Sequence, residues 1–208
     1  FLTGFPGFIG RRLVREILAR KPGTDFTFLV VDSMAGQARR DVEALRALPE
    51  AKKSRMDVVL GDITRSHLGL DDGRWHEALA RTTDVFHLAA IYDLHVHRDV
   101  ATRVNVEGTR NVLELCREAK ALRSLVHFST CYVAGKRDGT VLEDELLPGV
   151  DFKNHYESTK FESERLVREA MGSVPAIIIR PGITVGDSKT GETQKFDGPY
   201  FAMVLIDK

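Results

Sequence analysis

A chain of 208 residues can bury a substantial core and has the size of one α/β domain. Its 30 basic and 30 acidic residues cancel, which argues against a nucleic-acid-binding face or a basic membrane-binding face. No apolar run approaches the ~20 residues that span a bilayer and no signal peptide is visible, so a cytoplasmic protein is expected, with Cys116 and Cys131 as buried free thiols.

The chain opens on Phe1-Leu2-Thr3-Gly4-Phe5-Pro6-Gly7-Phe8-Ile9-Gly10, a strand end followed by a helix with Ile9, Leu13 and Ile17 on one face. The glycines stand three apart at the turn. Gly4 permits a tight bend, Gly7 lets backbone approach a diphosphate, and Gly10 lets the helix pack closely. The helix N-terminus presents free N–H groups and partial positive charge to an anion, so residues 3–10 are assigned to a dinucleotide. Only two residues precede the turn where a strand usually takes about five or six. Tyr200–Lys208 runs on as helix or strand without a stop signal, so the chain reads as a portion of a longer protein.

Phe26–Val31 is a buried second strand ending at Asp32, placed to accept from adenosine ribose hydroxyls. Arg39 and Arg40, on a helix from Gln37 to Leu48, could instead hold a 2′-phosphate, which leaves NAD against NADP open. Met56–Leu60 is a third strand. After it, Asp62 and Ile63 suit the edge and face of an adenine, unless Asp62 caps a helix. Asp71-Asp72 and Trp75 precede a short helix through Leu79. The fourth strand, Asp84 to Ala90, ends in Leu88-Ala89-Ala90, where small side chains leave room for a ligand. His95 and His97 have no third ligand at a useful spacing, so no metal is expected.

A long helix is expected from Asp99 to Lys120, with Asn105 inside it. Asn disfavours helix interiors, which makes Asn105 a candidate for a specific hydrogen bond. Leu125–Ser129 is the fifth strand, with Ser129, Thr130 and Cys131 at its end. Glu143-Asp144-Glu145 reads as a solvated acidic loop. A helix opens at His155-Tyr156, and Ala176–Arg180 is a sixth strand stopped by Pro181-Gly182. This alternation predicts a parallel sheet covered on both faces, with ligands at the carboxyl ends of the strands.

Tyr156 and Lys160 stand four apart on a helix and share a face. A free phenol, with a pKa of about 10, is a poor acid–base group at neutral pH; a nearby ammonium favours the phenolate. Lys160 can also donate to ribose hydroxyls, and Thr130 can place a substrate oxygen beside Tyr156.

These motifs together resemble the extended branch of the short-chain dehydrogenase/reductase superfamily. Thr3-Gly4-x-x-Gly7-x-x-Gly10 resembles its glycine loop, Gly61-Asp62-Ile63 its adenine contact, and Val104-Asn105-Val106 its helix asparagine. Phe128-Ser129-Thr130 resembles its catalytic strand end, Tyr156/Lys160 its catalytic pair, and Arg180-Pro181-Gly182-Ile183 its nicotinamide-contacting segment. The resemblance implies a doubly wound Rossmann fold over residues 1–186 and the start of a C-terminal substrate-binding region over 187–208. It also implies catalytic roles for Tyr156, Lys160, Thr130 and Asn105, cofactor contact by Ser129, and a homodimer.

Arg180–Gly191 and Asp197-Gly198-Pro199-Tyr200 are similar to the subgroup of fatty acyl-CoA reductases and thioester reductase domains, which implies an acyl-thioester or other small-molecule substrate. The chain departs from that subgroup at Val31-Asp32, where Arg is frequent, and at Pro6. Nucleotide-sugar epimerases and dehydratases share the core motifs. A dinucleotide-sensing regulator without turnover is the remaining alternative.

Overall fold

In the computed structural model, which describes residues 1–193 and 198–206, six parallel strands form one sheet. They are β1 (Leu2–Thr3), β2 (Phe26–Val30), β3 (Met56–Leu60), β4 (Asp84–His87), β5 (Ser124–Phe128) and β6 (Ala176–Ile179), in the order β3-β2-β1-β4-β5-β6. The order reverses direction between β1 and β4, the point at which a doubly wound sheet opens a crevice. The fold is therefore the expected Rossmann arrangement.

Helices α1 (Phe8–Arg20) and α2 (Ala35–Arg46) cover one face, where Val14, Leu18, Ala38 and Val42 meet Phe26, Phe28 and Val30 of β2. Helices α3 (Asp72–Arg81), α5 (Gly108–Glu118) and α6 (His155–Ala170) cover the other, where Trp75, Val112, Leu115 and Val167 meet Leu29, Val85 and Leu125. Neighbouring residues of one strand thus bury into opposite layers, as β2 does with Phe28 and Leu29.

The long helix forms as a continuous run, α4 (Arg98–Ala101), a π-helical turn over Thr102–Glu107, and α5, with the π turn unforeseen. Two expectations change. Cys116 is buried, but Cys131 is exposed, because β5 ends at Phe128 and Cys131 begins a turn at the carboxyl edge of the sheet. The acidic stretch is only partly solvated, since Glu145 pairs with Arg137 and the loop carbonyls accept from Arg168 and Arg180. The terminal stretch forms α7 (Pro199–Ile206), while Asp197, Asp207 and Lys208 lie outside the described residues. No described helix is long and apolar enough to cross a membrane.

A line of buried hydrogen bonds joins the layers. Thr109 Oγ1 donates to the Asn105 carbonyl at 2.7 Å. Its single proton is then spent, so His87 Nε2 at 3.0 Å and Ser163 Oγ at 2.8 Å must donate to it. His87 Nδ1 is left to accept from Thr3 Oγ1 at 2.8 Å, and Thr3 in turn accepts from the Ala89 N–H at 3.2 Å. Ser163 accepts from His127 Nε2 at 3.3 Å by the same count. His87 must be neutral for this chain to close, because its Nδ1 accepts. Burial, reinforced by the Lys160 charge, pushes His87 down to about 3 and His127 well below its usual value.

The unfolded chain binds a proton at each of these histidines near pH 6.5, whereas the folded chain refuses it. Stability is therefore full above that pH and falls as the pH drops toward 3. Between pH 6.5 and 5, His87 alone should remove about 2 kcal/mol. Urea unfolding at the two pH values measures this, and a free energy unchanged between them contradicts it.

Candidate active site

The glycine loop lies where β1 turns into α1. Gly4 has φ +86°, and a Cβ there would stand 2.7 Å from the backbone nitrogen of Ala89. A Cβ on Gly10 would lie 2.9 Å from the Gly4 carbonyl oxygen, so at Gly10 the first turn of α1 packs on the loop, while the rest of the helix packs on the sheet. The Gly7 N–H donates to that same carbonyl at 2.9 Å. Helix α1 begins at Gly7 with no side chain capping it and no acidic residue in its first turn. Its uncapped amides and partial positive charge fit an anionic phosphate.

Beside the loop lies a crevice of about 560 Å³, lined by Thr3, Gly4, Phe5, Pro6, Gly7, Asp62, Ile63, Ala89 and Ala90 among the residues named from sequence. Val31, Met34, Val100, Arg103 and Val104 also line it, and sequence reasoning named none of these as contacts. Phe5 is itself buried and stacks on Phe28 at 4.2 Å. Asp62 does not cap a helix; its carboxylate accepts from the Thr64 N–H at 2.8 Å. Asp32 lines a smaller cavity of about 320 Å³ that shares Val31, Gly61 and Asp62 with the crevice and adds Arg65. Arg39 faces a third cavity, with Arg55, Asp57, Glu77 and Arg81, and Arg40 bonds Gln37 at 2.8 Å. Phe8 and Ile9 sit on the first turn of α1, and Leu88 packs behind the loop, so none of the three lines the crevice.

A second group gathers past β5 and β6. Asn154 caps α6 by accepting from the Glu157 N–H at 2.9 Å, and Glu157 accepts from Lys153 N at 3.0 Å. This reciprocal cap, legible as Asn-x-x-Glu, fixes Tyr156 in the first turn of the helix. Thr130 Oγ1 accepts from the Tyr132 N–H at 3.3 Å and is near enough to the Tyr156 phenol to pull its pKa down. Lys160, buried, donates to the Phe128 carbonyl at 2.7 Å. Ser129 donates to Glu164 at 2.6 Å. Pro181 accepts from the Cys131 N–H at 3.1 Å, a Cβ on Gly182 would meet open space, and Ile183 is exposed.

The electrostatics differ from the expectation that Lys160 would favour the phenolate. Burial is the largest influence on Tyr156 and pushes its pKa up, and Thr130 pulls against it. Burial also lowers Lys160 to about 8, with Glu164 opposing the fall.

Asn105 joins the two groups. From the π-helical turn its side chain accepts from the Ile91 N–H at 2.9 Å and donates to the Ile91 carbonyl at 3.1 Å and to Thr159 Oγ1 at 3.0 Å. The segment leaving β4 and the turn of α6 between Tyr156 and Lys160 are thus held by one amide. His95 and His97 are exposed in the loop before α4, and the described residues hold no cluster of three metal ligands.

A parallel sheet reversed at β1/β4, a glycine loop feeding an uncapped helix, and a Tyr-x-x-x-Lys helix together define an NAD(P)-binding domain of the extended short-chain dehydrogenase/reductase class. The chain belongs to the family described as Male sterility protein, an NAD-binding family whose model matches residues 2–208. It is similar to the L-2-aminoadipate reductase large subunit of Penicillium chrysogenum, 29% identical over 218 residues, covering 95% of this chain and 15% of that protein. It is similar to fatty acyl-CoA reductase 8 of Arabidopsis thaliana, 28% identical over 160 residues, covering 68% of this chain and 32% of that protein. Among solved structures, the terminal R domain of the myxalamid PKS-NRPS pathway superposes with TM-score 0.83 at 27% identity, covering 97% of this chain and 53% of that one. The UDP-glucuronic acid 4-epimerase of Bacillus cereus, solved with NAD, superposes with TM-score 0.67 at 25% identity, covering 89% and 56%. The chain thus spans less than half the length of the curated relatives it matches and about half that of the solved ones.

Replacing Asn105 with Ala leaves half-buried backbone groups of Ile91 and the buried Thr159 hydroxyl without their amide partner and should cost about 2 kcal/mol of stability. Chemical denaturation measures this loss; a loss below about 1 kcal/mol removes Asn105 from the role of tie.

Proposed function

We propose that this chain is the cofactor-binding half of an NAD(P)-dependent reductase that acts on a carbonyl or acyl-thioester carbon. The observation that carries this reading is the placement of two groups at one edge of the sheet: an uncapped helix N-terminus beside a 560 Å³ crevice, and a phenol, a hydroxyl and a buried amine past β5. The reductase names carried by similar proteins favour an acyl substrate. When bound, the dinucleotide supplies a hydride at the nicotinamide C4 or accepts one there.

The residues of the chain do the rest. Amides of the glycine loop and of the first turn of α1 bind the diphosphate, while Thr3, Phe5 and Pro6 shape that wall. Asp32 binds the adenosine ribose, and Asp62 and Ile63 take the adenine. Ala89 and Ala90 leave space along the crevice, and Pro181-Gly182 borders the nicotinamide end. Tyr156 gives a proton to the substrate oxygen as its carbon is reduced. Its raised pKa keeps the phenol protonated at neutral pH, ready to act as the acid. Thr130 positions that oxygen, and Lys160 donates to the nicotinamide ribose and recharges Tyr156. Residues 187–208 open the substrate-binding region, and the protein works in the cytoplasm as a homodimer.

The structural likeness to the epimerase favours one competing reading, interconversion of a nucleotide sugar with NAD retained through the cycle. Incubation of the natural full-length protein with NAD(P)H and an acyl-CoA decides between them. Stoichiometric loss of reduced cofactor is expected, whereas NAD that stays bound while a nucleotide sugar is interconverted would overturn the reductase.

Two predictions follow from the assigned roles. Tyr156→Phe should lower kcat by about 100-fold or more and leave the cofactor Kd within about twofold; normal turnover by the variant refutes the acid. Lys160 loses its charge as pH rises through about 8, so cofactor affinity should weaken above that value. A Kd that is flat from pH 7 to 9.5 contradicts the ribose contact.

A further inference from the structure

Glu164 is fully buried, more so than Glu157, yet none of the roles above uses it. Burying a carboxylate is costly unless it is paired and hydrogen-bonded. Here the pairing is complete. Arg180 grips it with Nη2 to Oε1 at 2.7 Å and Nε to Oε2 at 3.0 Å. Arg168 Nε donates to Oε1 at 2.8 Å, and Ser129 Oγ donates to Oε2 at 2.6 Å. Burial alone would raise the pKa of the carboxyl, but these donors outweigh it and hold it below the ordinary range, so Glu164 is ionised.

The two guanidiniums have a second set of partners. Arg180 donates to the carbonyls of Leu142 and Glu145, and Arg168 to those of Asp144 and Glu143. Four consecutive carbonyls of the loop between β5 and α6 therefore close over the two cations that Glu164 holds. That loop leads into the Asn154 cap and Tyr156. Ser129 precedes Thr130, and Arg180 precedes Pro181-Gly182.

We propose that Glu164 is a positioning residue: one buried carboxylate fixes the end of β5, the end of β6 and the 142–145 loop as a unit, and assigns different jobs to adjacent hydroxyls. The inference rests on the Tyr156–Lys160 reading above. Ser129 has a single proton, and it points to Glu164, so Ser129 can only accept from a ligand. Thr130 accepts from Tyr132 N–H and keeps its own proton for Tyr156 or the substrate oxygen. The donor at the strand end is thereby Thr130 alone.

Glu164 also supplies negative charge one helical turn from Lys160. The titratable groups around Lys160 are Tyr156 and Glu164 on α6, His127 on β5 and His87 on β4. Both imidazoles are neutral, and Arg180, just past β6, is engaged by Glu164. Glu164 is thus the charge that sustains the ammonium.

The test compares Glu164→Gln and Arg168→Gln with the natural full-length protein, reading the pH dependence of NADH and NADPH binding by fluorescence, and kcat with an acyl-CoA. Glu164→Gln keeps the volume and removes the charge. Its alkaline loss of cofactor affinity should move down by about one pH unit, and kcat should fall about tenfold, with affinity at pH 6.5 within about threefold. Arg168→Gln removes a cation from a half-exposed side chain. It should lower kcat at least about threefold while its alkaline limb stays or moves up. A purely structural role would lower activity in both variants without moving either limb, and that result overturns the proposal, as does an unchanged Glu164→Gln. Should Glu164→Gln fail to fold, Arg168→Gln decides: a kcat equal to the natural protein's is refuting. A natural protein that binds dinucleotide but turns over nothing refutes the reductase reading instead, and the binding limbs still judge Glu164.

Discussion

The site depends on two imidazoles staying uncharged in the middle of the sheet. His87 and His127 sit on adjacent strands with ring centroids 5.3 Å apart, and both lie near the Lys160 ammonium. Neutral His87 passes hydrogen bonds from Thr3 on β1 through Thr109 on α5 to Ser163 on α6, and His127 donates to the same Ser163 from β5. The end of β1 carries the glycine loop, and α6 carries Tyr156 and Lys160. The two halves of the site are thus held together by side chains under the crevice, as well as by the strand ladder. An apolar pair at these positions would pack, but it would not tie β1 to α6.

Charge is distributed accordingly. Three kinds of electrostatic element meet at the carboxyl edge: the uncapped N-terminus of α1, the buried ammonium of Lys160 and the buried carboxylate of Glu164. The first is bare and suits an anionic ligand. The other two are a helical turn apart and moderate each other, with Lys160 kept near 8 by a balance of burial and Glu164. Burial, with smaller contributions from Cys131, Tyr132 and Glu157, moves Tyr156 in the opposite sense from the one its lysine neighbour suggested, while Lys160 donates to the Phe128 carbonyl.

Much of this was legible in the residues. The glycine spacing fixed the turn into α1, the β-branched runs marked the central strands, and Asn-x-x-Glu marks the start of α6. The π-helical turn was not legible: the Asn105 amide within it bonds to the backbone of Ile91, fourteen residues away, and nothing in the local sequence announces that partner. Arg39 was one of two candidates for a 2′-phosphate by its position past β2, but sequence spacing does not say around which side of a sheet edge a long side chain reaches. Cys131 was read as buried from apolar neighbours that belong to a turn rather than a strand. Glu164 had a usable signal: with Lys160, Ser163 and Val167 it occupies one helical stripe, and all four are buried. Polar residues on such a stripe demand partners, and the partners lie far away in sequence, at Ser129 and Arg180.

The account's central claim is that a dinucleotide lies along the crevice at the β1/β4 reversal, with its diphosphate on α1. Hydrogen–deuterium exchange of the full-length protein with and without NADPH or NADH tests this most directly. The account predicts added protection in residues 4–10, 61–63 and 88–91, with little change around Arg39, Arg55 and Arg81. Protection centred on those arginines, with the glycine loop unaffected, would contradict it.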